Sequence, residues 1–119
     1  MIGWTKPSQD GQRVNSISLD EVRRSGPAAA ARQALQAVPP AASILLHFDI
    51  DVLSDRDLPV AYFPHDEGLS MQEIDELLPV LLGDPRLRIV EISEYASLRD
   101  LDRRCIAKLV DLLCRALKG

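Results

Sequence analysis

Apolar residues fall into short blocks whose period changes along the chain, and each change marks an element. Ser43-Ile44-Leu45-Leu46-His47-Phe48 is a nearly continuous apolar run between prolines and acids, which predicts a strand buried on both faces of a parallel sheet. Leu87 to Ile92, with β-branched Ile89, Val90 and Ile92, predicts another strand. Met1, Ile2 and Trp4 form an apolar patch that reads as a strand end, followed by an exposed polar loop from Lys6 to Gly11. Between these lie helical patterns. Ser18-Leu19-Asp20-Glu21 has the spacing of a capping box and predicts a short helix, which Gly26-Pro27 interrupts. A second helix should then run through the Ala-rich stretch to about Val38, where Pro39-Pro40 stops it. Ser70-Met71-Gln72-Glu73 is a further capping box, and Ile74, Leu77, Leu78 and Leu81 continue it at helical spacing. From Leu98 the apolar positions Leu101, Cys105, Leu109 and Leu112 predict a long amphipathic helix running nearly to Gly119. The alternation of strands and helices implies an α/β fold with a parallel sheet. Three strand candidates are few for such a sheet, and its edges and one face would be poorly covered.

Composition narrows the class. The chain has 119 residues, 46% of them hydrophobic and 27% charged, which suits one globular domain over 1–119. The net charge is −4 and no basic cluster exceeds Arg23-Arg24 or Arg103-Arg104, so nucleic acid is not an expected partner. No apolar run reaches the length of a membrane span and no secretory signal opens the sequence, so the expected location is cytoplasmic, without a membrane partner. Cys105 and Cys114 fall on opposite faces of one helix, where they can neither bridge nor share a metal, and are expected to be small buried fillers.

Chemistry concentrates at Asp49-Ile50-Asp51. Ligands of open α/β sheets bind outside the carboxyl ends of strands, and strand alternation would send Asp49 and Asp51 to one side. Two adjacent carboxylates repel unless a cation intervenes, and oxygen donors suit Mg²⁺ or Mn²⁺. The segment from Val52 to Gly68 is a long loop without helical periodicity, of the kind that carries function. His47 is expected to be packed or hydrogen-bonded, and His65, beside Asp66 and Glu67, solvated.

Taken in order, Leu46-His47-Phe48-Asp49-Ile50-Asp51-Val52-Leu53, a proline-containing loop and Gly68-Leu69-Ser70-Met71-Gln72-Glu73 resemble the late part of the ureohydrolase family of arginases and agmatinases. Val90-Glu91-Ile92 is similar to the family's following strand, Ile2-Gly3-Trp4 to its strand ending Ile-Gly-x-Arg, and Ile17 to Val22 to the next element. The resemblance implies a partial three-layer α/β/α sandwich around a parallel sheet. It also implies a pair of manganese ions as cofactor, at which activated water attacks a guanidino carbon and releases urea. By the same resemblance Asp49 and Asp51 are metal ligands, and Glu73, also the carboxylate of the capping box, pairs with the substrate guanidinium.

The family's Gly-Gly-Asp-His and Asp-Ala-His-x-Asp motifs are absent from the 119 residues, so four ligands are missing and no catalytic residue is assigned. Ser54-Asp55 and Ser93-Glu94 also replace the family's Asp-Pro and Asn-Pro. The chain therefore reads as the carboxyl-terminal portion of an arginase-like domain. Its expected partners are a small guanidino compound, and a missing amino-terminal half or a second copy. Two other readings remain open: a non-catalytic partial domain that binds a partner chain, and a phosphatase of the haloacid-dehalogenase type with Asp49 as nucleophile.

Overall fold

The computed structural model describes residues 2–4 and 15–118; the polar loop expected from Lys6 to Gly11 lies outside them. The elements follow one another as β1 (Ile2–Trp4), β2 (Ile17–Ser18), α1 (Leu19–Ser25), α2 (Pro27–Gln36), β3 (Ile44–Asp49), α3 (Met71–Leu82), β4 (Leu87–Ser93) and α4 (Arg104–Lys118), with 3₁₀ turns at Ile50–Val52 and Ser97–Arg99. Both capping boxes form. Ser18 and Ser70 each accept the N–H of the glutamate three residues on, whose carboxylate returns to the serine N–H. Pro27 opens α2 at a position where its missing N–H costs nothing.

The strands pair in parallel as two separate ladders, β1 with β2 and β3 with β4. A helix connects β3 to β4, as a parallel pair requires. Buried residues from every layer, among them Val22, Ala30, Phe48, Ile50, Leu69, Ile74, Leu78, Leu109 and Leu112, form one apolar cluster. The result is a partial α/β arrangement of parallel strands and helices.

Several expectations change. The run at Ile44 to Phe48 is a strand, but it is not buried on both faces. Leu46 and Phe48 turn to the core, whereas Leu45 and its register partner Ile89 are both 55% exposed. The described chain supplies no helical layer over that second face. Ile17–Ser18 forms a fourth strand, too short to show a period of two. The last helix starts at Arg104 and not near Leu98, and Leu98 and Leu101 project into solvent before it. Asp100 is the reason. Its buried carboxylate accepts the Cys105 and Ile106 N–H groups at 3.0 and 2.8 Å and the Tyr95 hydroxyl at 2.7 Å, so the chain turns there and the helix begins after it. The cysteines are free as expected, yet Cys105 is half-buried and Cys114 exposed, because Leu109, Leu112 and Ala116 occupy the core-facing stripe of α4.

Burial raises the Asp100 pKa, but the Cys105 N–H, Tyr95 hydroxyl and Ile106 N–H outweigh it and bring the group down to about 2. The same hydrogen bond, with burial, pushes Tyr95 up to about 12. A depressed carboxyl pKa contributes stability that is present above the ordinary value and disappears as pH falls through the folded one; a raised phenol pKa acts in the opposite sense. Denaturant midpoints should therefore drop from about pH 4 toward pH 2 and from about pH 10 toward pH 12. Tyr95→Phe should abolish the alkaline loss and shrink the acid one, and equal alkaline losses in both proteins would contradict the assignment.

Candidate functional site

The carboxyl ends of β3 and β4 lie side by side, since Asp49 pairs in register with Ser93. Asp49 is the last strand residue, and the chain there enters the 3₁₀ turn that contains Asp51. Asp49 Oδ1 caps this turn by accepting the Asp51 N–H at 2.9 Å. Asp51 therefore follows Asp49 in a capped turn and does not share a strand face with it, because Asp51 has already left the sheet. Both are half-buried, and neither takes part in an ion pair among the described residues.

A backbone seam fixes the chain just after them. Leu69 N–H donates to the Val52 carbonyl and Ser54 N–H to the Leu69 carbonyl, both at 2.9 Å. A Cβ on Gly68 would lie 2.5 Å from the Leu53 carbonyl carbon and the Ser54 nitrogen, so only glycine permits this approach. Ser54 stands where the family's aspartate was expected; it is buried, and its hydroxyl donates to the Asp66 carbonyl at 3.0 Å. His65 is exposed but not free, since its Nε2–H donates to the Asp51 carbonyl at 2.6 Å.

Glu73 stands in the first turn of α3, as its motif predicts, with both oxygens engaged. One accepts the Ser70 N–H at 2.8 Å and the other the Arg23 Nε–H at 3.0 Å, while Arg23 also donates to the Gly68 carbonyl at 3.1 Å. Burial raises its pKa, but the Ser70 N–H and the Arg23 guanidinium outweigh this and hold it below the usual value. No described hydrogen bond or ion pair joins Glu73 to Asp49 or Asp51.

His47 projects from the open face of the sheet. Its Nδ1 lies 2.8 Å from Glu91 Oε2 and its Nε2 3.1 Å from Ser93 Oγ, so it is hydrogen-bonded, as expected. Glu91 raises its pKa, with smaller contributions from Asp49 and Glu94. Glu94 was missed by the sequence reading as a site residue. It immediately follows β4 with a φ of 63°, a left-handed conformation that a non-glycine residue rarely adopts. Among the described residues its carboxylate has no hydrogen-bond or ion-pair partner. Its place one residue beyond Ser93, the partner of Asp49, was invisible until the register was known.

Comparison with known proteins places the chain in a family. Residues 4–117 match the Arginase family, and the chain belongs to it. It does not favour the phosphatase reading. No curated protein matches the sequence significantly. Among solved structures, the fold is similar to formimidoylglutamase from Bacillus subtilis, with a TM-score of 0.79 and 25% identity over 89% of this chain and 33% of that one. Formiminoglutamase from Trypanosoma cruzi with Mn²⁺ matches at a TM-score of 0.77 and 25% identity, over 86% and 33% of the two chains. A hypothetical agmatinase from Burkholderia thailandensis covers 98% of this chain and 36% of its own, at a TM-score of 0.83 and 22% identity. The chain thus spans about a third of the structures it matches.

Two substitutions test how the site is held. Gly68→Ala should cost roughly 1–3 kcal/mol, the range for forced overpacking, because both opposing atoms are backbone and cannot rotate away. Ser70→Ala should cost about 1 kcal/mol through loss of the cap. Denaturant titrations measure both, and an unchanged Gly68→Ala midpoint would mean that the seam is slack.

Proposed function

We propose that this chain carries part of a ureohydrolase centre, in which Asp49 and Asp51 hold a manganese ion and a guanidino or related linear amidine C–N bond is hydrolysed, with urea as product when the substrate is a guanidine. The observation that carries this reading is the pair of aspartates at the carboxyl end of a parallel strand in an Arginase-family fold. Two carboxylates suit a hard divalent cation in kind but are too few in number, and no group of three or more His, Cys, Asp or Glu side chains that could hold a metal exists among the described residues. The remaining donors would come from the rest of an arginase-type domain, or from a second copy, which makes the chain a carboxyl-terminal portion of the complete site. Manganese, when bound, would supply Lewis acidity and lower the pKa of coordinated water.

The chain's own residues divide the remaining work. Asp49 and Asp51 place negative charge at the sheet end, and Asp49 caps the turn that carries Asp51. Glu94 is the better counter-charge for a cationic amidine, because its carboxylate is uncommitted among the described residues. Glu73 could take that role only by releasing Arg23 and the Ser70 cap. Hydrolysis by this chain alone is expected to be negligible.

Manganese added to the purified chain should broaden the amide resonances of Asp49 and Asp51, with weak affinity and little preference over Mg²⁺, and Asp49→Asn should remove the effect. Urea release from agmatine or arginine should stay at background. Broadening that ignores Asp49→Asn would overturn the metal assignment, and manganese-dependent turnover lost in that variant would show that the site is more complete than argued.

A further inference from the structure

The loop over residues 58–66 is anchored far more firmly than the rings it carries. Leu58, Val60 and Ala61 are buried, yet Tyr62 and Phe63 stand 61% and 73% exposed. On one side the Phe63 N–H donates to Asp51 Oδ1 at 3.4 Å and His65 to the Asp51 carbonyl. On the other, Ala96 N–H donates to the Val60 carbonyl at 2.8 Å, Arg99 Nη1 to the Ala61 carbonyl at 2.6 Å, and Ala61 bridges Tyr95 in antiparallel sense. The backbone that carries the aromatic pair is therefore held between Asp51 and the turn at Glu94-Tyr95.

Such a span combines what a planar, delocalised cation requires. Aromatic faces attract guanidinium-like groups through the ring quadrupole, and nearby carboxylates supply the counter-charge. We propose that Tyr62 and Phe63 form an aromatic wall on which an amidinium or guanidinium group stacks at the approach to Asp49, Asp51 and Glu94. The proposal rests on the ureohydrolase reading and makes the pair specificity-determining residues, which favour a planar cation over a compact ammonium or a neutral urea.

The test is an NMR titration of the full chain with agmatine, using putrescine as the compact-cation control and methylurea as the neutral one. Agmatine should shift the Tyr62 and Phe63 ring resonances, and the two controls should not. Tyr62→Leu with Phe63→Leu, which keeps bulk but removes the π faces, should weaken agmatine binding about five- to twentyfold, while Tyr62→Phe should stay within about twofold. Both side chains are exposed, so the amide spectrum of the double variant should report an intact fold. Wild-type affinity in the double leucine variant, or an equal ring response to putrescine, would overturn the wall. Manganese broadening at Asp49 and Asp51, read on the same samples, separates the two readings: broadening without ring selectivity removes only the wall, and ring selectivity without broadening removes only the metal assignment.

Discussion

The seam between Val52–Ser54 and Gly68–Leu69 holds the site together. It consists of two backbone hydrogen bonds and one close approach that no side chain but hydrogen allows. Because it closes immediately after the 3₁₀ turn containing Asp51, it converts the 52–68 segment from a free connection into a loop with fixed ends. The α3 cap, the Arg23 clamp on Glu73 and Gly68, and the Asp57 carboxylate that accepts the Met71 N–H at 2.9 Å all act on the same few residues. Individually these contacts are small, with exposed ion pairs contributing about 0–1 kcal/mol. Together they determine where the chain leaves the aspartates.

The sheet shows what this portion of the fold leaves unfinished. Parallel sheets are normally covered on both faces, since helical crossovers place layers there. Here Leu46 and Phe48 face the core, while the opposite face presents Leu45 and Ile89 at one end and the His47–Glu91–Ser93 cluster at the other. A chain that spans about a third of its structural relatives has this open face next to a carboxylate pair with too few donors for two metal ions. Under the proposed function, additional polypeptide would cover this face and supply the further donors.

Much of this was legible in the residues. The two capping boxes predicted the starts of α1 and α3 because their chemistry is local, each serine and glutamate satisfying backbone groups three positions away. The strand at Ile44 to Asp49 followed from its apolar run, and the order of Asp-x-Asp, Gly-Leu-Ser and Val-Glu pointed to the family that the comparison then showed. The start of α4 was misread by several residues because an apolar period cannot reveal that Asp100 caps a helix from outside its first turn.

Local sequence thus determined most of the elements, the two capping boxes and the place of Asp49 at a strand's end, since each depends on interactions spanning only a few residues. Tertiary structure decided which carboxylates are committed and which are available. Glu73 has a motif that is read locally, but only the fold shows that Arg23, fifty positions earlier, engages its carboxylate. Glu94 stood out in the sequence only as a departure from the family pattern, and the register of β4 against β3 placed it one residue beyond the partner of Asp49. The burial of the sheet likewise could not be read from hydrophobicity, because an apolar strand face records the cover it is built to receive, and only the arrangement of helices in space shows whether that cover is present.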